Sequence, residues 1–567
     1  MSKRVLIVGG VAGGASTAAR VRRIDEFAEI VMFERGPHVS FSNCALPFHL
    51  SGIVEEADNL VLMSPEVFHK QYNIDARVNH EVIQINPKQQ TILVKNTLTG
   101  EEFSEHYDEL VLSPGANPIL PNSIKGIGSD HVFTVRNVSD IDKIKKYLDH
   151  HNIQDVVVVG AGFIGIEVAE NLKLDGKNVT IIEAASQVMQ PFDNDFAQIL
   201  HKEIIDQGIE LILEDAVQEI YSNKVILASG REVQTKAVIM AIGVTPETRL
   251  AKEAGLDIGI TGGIKVNQHY VTSEEHIYAV GDAIEVTHFI TRKPTRLTLA
   301  GPAQRQARAA ADHMYGKAHR NTGVIGSSVI QCFDLNAAST GLTERDCKRE
   351  GIAYQTAYVI PKDKVGLMPN ARPLFFKLIF ADPSGDILGA QAIGEGNVDK
   401  RIDVIATMIM NHANLEDLKE LELSYSPMFG TAKDVVNMAA LVGLNVLNGE
   451  YKQVPVTEIR SLVESGACII DAREPGEFAE GHIKGAVNIP FSEFRERLDE
   501  IPTDQPVYVH CLSSQRSYNM VKALNMRGFY NAVNLQGSFL GLCVYEYFTD
   551  QITGREPIVT AYRFDLL

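Results

Sequence analysis

The sequence predicts an α/β protein with two Rossmann-like dinucleotide-binding domains and a smaller α/β domain near its C-terminus. Three stretches carry this. Val5-Leu6-Ile7-Val8 runs into Gly9-Gly10-Val11-Ala12-Gly13-Gly14. Residues 156–159 run into Gly160-Ala161-Gly162-Phe163-Ile164-Gly165. Pro506-Val507-Tyr508-Val509-His510 delivers Cys511 into a six-residue loop ahead of a helical stretch.

The first stretch has the apolar run of a strand buried on both faces, then a glycine turn, then a helix through Ala18, Arg20 and Arg23. A second strand over 29–33 ends at Glu34. This is the strand-turn-helix-strand-acid order of a dinucleotide site. Glycines let the backbone approach a pyrophosphate, the helix N-terminus attracts it, and the acid accepts from a ribose hydroxyl. Val11 departs from the pattern, standing where the second glycine belongs. The second copy matches fully, with a strand over 179–182 closed by Glu183. No arginine follows Glu183, and a carboxylate there repels a 2′-phosphate, so NADH is favoured over NADPH. Segments 107–116 and 238–243 read as strands ending in Gly115 and Gly243, where the chain crosses between nucleotide domains. A strand over 277–280 ends in Gly281-Asp282, an acid placed to bind a flavin ribityl hydroxyl.

Between the first fingerprint and the rest lies Ser40-Phe41-Ser42-Asn43-Cys44-Ala45-Leu46-Pro47-Phe48. A flavoenzyme that reduces disulfides through its own dithiol needs a second cysteine five residues on, and His49 is there instead. Cys44 must therefore pair with something small and mobile, or pass through a sulfenic or persulfide state.

Length and charge bound the rest. At 567 residues the chain holds about four domains. A net charge of -19 argues against a general nucleic-acid surface. Six cysteines at no disulfide-framework or zinc spacing fit a reducing compartment. The apolar run before Gly9 is too short for a signal peptide, and no run approaches a membrane span. The expectation is a cytoplasmic protein with no membrane partner.

These motifs together resemble the flavoprotein disulfide reductases with two dinucleotide folds, and within them the coenzyme A-disulfide and NADH-dependent persulfide reductases that carry a fused rhodanese domain. The most specific shared motif is Ser-Phe-x-Asn-Cys, at Ser40 to Cys44. The resemblance spans essentially the whole chain and implies an FAD domain over 1–119 and 244–325, an NAD(H) domain over 120–243, an α+β dimerisation domain over 326–448 and a rhodanese domain over 452–567. It implies FAD at Gly9, Gly14, Glu34, Gly115 and Asp282, NADH at Gly160, Gly162, Gly165 and Glu183, and Val11, Arg35, Ile164 and Gly243 beside them. Cys44 becomes the redox cysteine. Coenzyme A is implied as a possible ligand, with Arg20, Arg23, Ser40, Asn43, Lys70 and Arg77 as its contacts. Tyr425, in Ser424-Tyr425-Ser426-Pro427, matches a loop that reaches the partner's cysteine in a homodimer. Departures are Gly366-Leu367-Met368-Pro369-Asn370, where the family carries Tyr-Tyr-Pro-Gly, and Ala45 and Phe48 in place of glycine and tyrosine. They put the preference for coenzyme A derivatives in doubt.

The C-terminal loop, Cys511-Leu512-Ser513-Ser514-Gln515-Arg516, resembles that of rhodaneses. Backbone N–H groups of such a loop cradle a terminal persulfide anion. Arg516 can add positive charge or brace the loop. Phosphatases of the same fold use a longer loop, which argues against phosphate-ester hydrolysis. His482 reads as a packing or surface residue, and Cys332, Cys347, Cys468 and Cys543 as structural. The expected substrate is a small thiol, persulfide or disulfide. Alternatives are an NADH oxidase or peroxidase cycling Cys44 through sulfenic acid, and a redox-sensing sulfur carrier.

Overall fold

The structure, a computed structural model, describes residues 3–567 in two compact units. One joins the chain up to Ala184 with Ile212–Val324, and the other joins Ala185–Leu211 with Ile325–Leu567.

The first unit holds both nucleotide folds. Its first sheet is parallel, in the order Ile277–Ala279, Glu109–Leu112, Arg4–Val8, Glu29–Glu34, Asp75–Val78. Val5, Leu6 and Ile7 are fully buried at its centre, as their unbroken apolar run requires. The second fold repeats the plan, with parallel strands Asn178–Ile182, Asp155–Val159, Ala237–Met240 and Val132–Thr134 side by side. The two crossings form an antiparallel ribbon, Ala116–Pro118 against Val244–Pro246. Each crossing begins at a glycine in the left-handed region, Gly115 at φ 74° and Gly243 at φ 115°, where a side chain would strain the turn. Helix Ala300–Met314 has Gly301 and Pro302 in its first turn. Proline is tolerated there because first-turn N–H groups have no partner inside the helix.

The second unit is built on an antiparallel sheet in the order Ser328–Cys332, Leu335–Gly341, Ile387–Gly394, Phe375–Ala381, Tyr354–Val359. The second and third of these strands are not apparent from the sequence. They are rich in alanine and glycine, poor strand formers, and gain their stability from helix Val398–Met410 packed on them. Helix Val435–Leu447 then leads into the C-terminal domain, a parallel sheet in the order Lys452–Val454, Ala532–Leu535, Val507–His510, Cys468–Asp471, Val487–Asn488.

That domain is fastened to the antiparallel sheet. The side-chain amides of Gln453 and Gln536 both donate to the Thr356 carbonyl, at 2.9 and 3.2 Å. A Cβ on Gly537 would lie 3.0 Å from the Tyr358 ring. Helix Ser538–Thr553 packs against helix Asn194–Asp206, which a buried lysine secures. Lys377, on the sheet, reaches Asp195 at 2.5 Å, Glu344 at 2.8 Å and Asp193 at 3.5 Å. Burial pushes Asp195 up, and Lys377 only partly offsets it. Burial raises Glu344, but Lys377, with Tyr354 and Lys348, together hold it below the usual carboxylate range.

Lys377→Met leaves three clustered carboxylates without their cation, so it should cost about 3–5 kcal/mol. The carboxylates would then bind protons more tightly in the fold than in the unfolded chain, so the loss is largest above their raised values and shrinks as pH falls. Thermal unfolding of wild type and variant at neutral and mildly acid pH checks this. A variant equally stable at neutral pH would show the cluster to be neutralised by other means.

Candidate active site

Both glycine turns are cradles shaped by contact with their own backbone. Gly9 lies at φ 95°, and a Cβ there would overlap the Ser113 carbonyl; one on Gly14 would overlap the Gly9 carbonyl. Gly160 and Gly165 repeat this against Ala241 and Gly160. Val11 is compatible because its φ is −107°, open to any residue. At Gly162 a Cβ would meet nothing within 4 Å, which leaves room before the second helix for a phosphate to approach. Each acid closes its own turn. Glu34 accepts from the Gly10 N–H at 3.0 Å and the Gly36 N–H at 2.9 Å, and Glu183 accepts from the Ala161 N–H at 2.8 Å. Ile164 is exposed in the first turn of the second helix. Arg35 donates to Asn117 at 3.3 Å and pairs with Glu247 at 3.9 Å. Asp282 follows the strand Ile277–Ala279; burial pushes its carboxyl up and Arg136 draws it partly back. The open cradles, paired acids and strand-end aspartate fit two dinucleotides, one carrying a flavin.

The cysteine loop is attached to the first cradle. Ser40 takes a left-handed φ of 49°. Its N–H donates to the Gly10 carbonyl and its own carbonyl accepts from Leu62, both at 2.8 Å. A 3-10 helix, Asn43–His49, then presents Asn43 and Cys44 at the surface. His49 is buried and donates through Nδ1 to the Val54 carbonyl at 2.8 Å, a packing role. Ser51 donates to Asn171 of the second nucleotide helix at 2.6 Å, which brings that helix against the loop.

This contact brings in a residue that the sequence motifs do not single out. Glu167 acts on Cys44: the thiol is pushed up by burial, then by the negative charges of Glu167 and Asp282. Glu167 is itself pushed up to about 7 by burial and by Glu170. Its place two residues after Gly165, on the fingerprint helix, is the signal that could have singled it out.

The basic candidates differ in their surroundings. Arg20 donates to Asp312 at 2.8 Å, and Arg77 pairs with Asp75 at 2.7 Å and Glu105 at 2.8 Å. Arg23 and Lys70 are exposed. In the second unit, Tyr425 is 50% exposed beside Met428 and Phe429, at 51% and 65%. These three large, largely apolar side chains lie open in one short loop.

In the C-terminal domain Cys511 is 1% exposed. Its N–H donates to Ser538 Oγ at 3.2 Å, and Ser517 Oγ donates to its sulfur at 3.6 Å. Ser514 caps the next helix at φ 74°, held by its hydroxyl on the Leu535 carbonyl at 3.2 Å. Arg516 braces: its two terminal nitrogens donate to both Glu477 oxygens at 2.6 and 2.7 Å. His482 stacks on Phe478 with ring centroids 3.8 Å apart. Among the described residues none of the six cysteines forms a disulfide.

Glu167→Gln should remove the negative charge that opposes a Cys44 thiolate. Alkylation of Cys44 at a fixed pH below its midpoint should then quicken, and the inflection near pH 7 in the wild-type profile should vanish. An unchanged profile would show that Glu167 does not act on this sulfur.

Comparison with known proteins agrees with this geometry. Residues 3–307 match the pyridine nucleotide-disulphide oxidoreductase family, 328–434 its dimerisation domain, and 455–543 the rhodanese-like domain. A coenzyme A disulfide reductase of Staphylococcus haemolyticus is 34% identical over 439 residues, 77% of this chain and 98% of that protein. The crystal structure of reduced Bacillus anthracis CoADR-RHD superposes with a TM-score of 0.93 at 44% identity, covering 96% of this chain and 98% of that one. An NAD-dependent persulfide reductase from A. fulgidus superposes with a TM-score of 0.90 at 32% identity, covering 96% and 100%. The chain belongs to the pyridine nucleotide-disulphide oxidoreductases, with the family's dimerisation domain and a rhodanese-like domain in the same polypeptide.

Proposed function

We propose that the protein is an NADH-dependent FAD enzyme that reduces persulfides, or disulfides of the coenzyme A type, through Cys44, and transfers sulfur at Cys511. The observation that carries this is the single exposed cysteine, tied to the first cradle by Ser40 and Gly10 and facing the helix of the second. With His49 buried where a second thiol would sit, the disulfide partner of Cys44 comes from the substrate. FAD occupies the first cradle over 1–119 and 244–325, and NADH the second over 120–243. The dimerisation domain spans 326–448 and the rhodanese domain 452–567, and the enzyme works as a homodimer in the cytoplasm.

Flavin, when bound, supplies the redox chemistry, taking hydride from NADH and making an electron pair available to sulfur. The protein's residues handle sulfur and protons. The Cys44 thiolate attacks the inner sulfur of R–S–SH, releasing HS⁻ and leaving Cys44–S–S–R. Two electrons and a proton then free RSH and restore the thiolate. The sum is RSSH + NADH + H⁺ giving RSH, H₂S and NAD⁺. Glu167, near neutrality at its midpoint, holds or yields a proton beside this sulfur. Tyr425 of each protomer donates a proton at the other protomer's Cys44. Arg23 and Lys70, exposed and cationic, suit the phosphates of coenzyme A, with Ser40 and Asn43 nearer the sulfur. An oxidase or peroxidase reading leaves the rhodanese-like domain without a task.

The two cysteines divide the labour. Cys44→Ser should abolish NADH-driven reduction of every sulfur substrate while keeping transfer from thiosulfate to an added thiol. Cys511→Ser should do the reverse, still reducing a persulfide supplied directly. Both activities are measured on both variants at matched FAD content, with peroxide and oxygen as competing acceptors. NADH-driven sulfide release by Cys44→Ser would sink the central assignment.

If Tyr425 is the proton donor, Tyr425→Phe should lower turnover on the order of 10²–10⁴-fold, the range of general-acid effects, with FAD retained. An unchanged rate would reduce Tyr425 to packing at the interface.

A further inference from the structure

The Cys511 loop has to hold a negative sulfur, yet both neighbouring arginines are committed to carboxylates. Arg516 is paired with Glu477, so its charge, which also bears on Cys511, is already offset. Arg473, 1% exposed, pairs with Asp471 at 2.6 Å and donates to the Gly481 carbonyl at 2.7 Å. Each pair is neutral, so a charge on Cys511 adds one uncompensated negative charge to a buried neighbourhood.

One basic group in contact with the loop remains. His510, fully buried, immediately precedes Cys511. Its Nδ1 donates to the Cys511 carbonyl at 3.2 Å, which places a proton on Nδ1. In the neutral ring Nε2 is then a bare acceptor. It has no hydrogen-bond partner and lies 3.5 Å from Asp471 Oδ2, a second acceptor. Two acceptors facing each other out of contact with water make an unfilled proton site. The groups bearing on the ring are Asp471, which favours its charged form, Arg473 and His482, which oppose it, the Cys511 carbonyl, and Phe539, stacked at 6.2 Å. With the sulfur neutral, burial outweighs Asp471 and keeps the ring uncharged. An anion on the next residue, Cys511, would add an attraction of the sign that is missing.

We propose that His510 balances the charge of the Cys511 site, taking on Nε2, opposite Asp471, the proton that the Cys511 thiol gives up, and keeping it while the sulfur is a persulfide. This rests on the sulfur-transfer reading of Cys511. In net terms an S–H bond breaks at Cys511 and an N–H bond forms at His510. The thiolate then attacks the outer sulfur of thiosulfate. A new S–S bond forms, the old one breaks, and sulfite leaves with its electron pair, so the loop stays singly negative opposite one imidazolium. His510 touches no substrate and acts through Cys511 and Asp471, as a positioning residue.

The proton count tests it. Full-length enzyme, reduced and weakly buffered near neutrality with an indicator dye, is loaded with thiosulfate, and proton release per persulfide is corrected for the sulfite formed. Wild type should release none. His510→Asn, which keeps a donor for the Cys511 carbonyl but has no base, should release one. Its sulfur transfer should fall about tenfold or more near neutral pH and recover as pH rises. His510→Gln, which keeps a donor toward Asp471, should behave likewise, and far-UV circular dichroism with FAD absorbance reports folding. One proton released by wild type overturns the assignment, as do equal counts and equal pH profiles in wild type and a folded variant. Absence of any persulfide on wild type overturns the sulfur-transfer reading, and this one with it.

Discussion

The charge beside a reactive sulfur governs both sites. A thiolate is the nucleophile in disulfide and persulfide chemistry, and neighbouring carboxylates oppose it. At Cys44 the opposition comes first from burial, then from Glu167 and Asp282. The chain by itself therefore disfavours this thiolate. At Cys511 the arginines are matched one to one with carboxylates, so an anion there draws on backbone dipoles and on whatever proton the site can move. The raised Cys44 thiol resists off-path oxidation, since susceptibility follows thiolate character.

The first unit converts this chemistry into geometry through close backbone contact. Gly14 and Gly165 let each nucleotide helix sit on the carbonyl of its own turn, so helix, strand and loop move as one piece. The cysteine loop hangs from the first turn by the Ser40–Gly10 bond and is buttressed by the second helix through Ser51 and Asn171. A sulfur positioned by two cradles at once follows the placement of both. The left-handed φ at Ser40, a strained conformation for serine, is retained because two backbone hydrogen bonds fix it.

What was legible in the sequence is what depends on local chemistry. Fingerprint glycines, closing acids and the Ser40–Cys44 motif declare themselves because backbone contact or a special φ restricts the residue type. Val11, a departure on paper, costs nothing because its φ does not require glycine. The alanine-rich strands Leu335–Gly341 and Ile387–Gly394 were hidden because their stability comes from a covering helix rather than from propensity. Glu167 and His510 were hidden for a different reason. Each is ordinary in its own segment and becomes significant only when another element arrives, the cysteine loop for one and Asp471 for the other. Arg516 shows the limit of reading charge from sequence. Two roles were open to it, and it holds both: it pairs with Glu477, 39 positions away, and its charge bears on Cys511.

The fastening of the rhodanese-like domain bears on how its sulfur travels. A domain on a free tether could carry Cys511 to its acceptor by swinging. Here Gln453, Gln536 and Gly537 lock onto the Thr356–Tyr358 strand, and helix Ser538–Thr553 packs along Asn194–Asp206. Freeing the domain would expose these buried apolar and polar contacts together, a cooperative cost set against every cycle. Cys511 is also sunk in its loop, at 1% exposure, so only a narrow donor or acceptor reaches it. On the function proposed above, both facts favour a small thiol that collects sulfur at Cys511 and leaves as a persulfide, the form of substrate that a single-cysteine reductase accepts. In that proposal, one chain raises the carrier's local concentration.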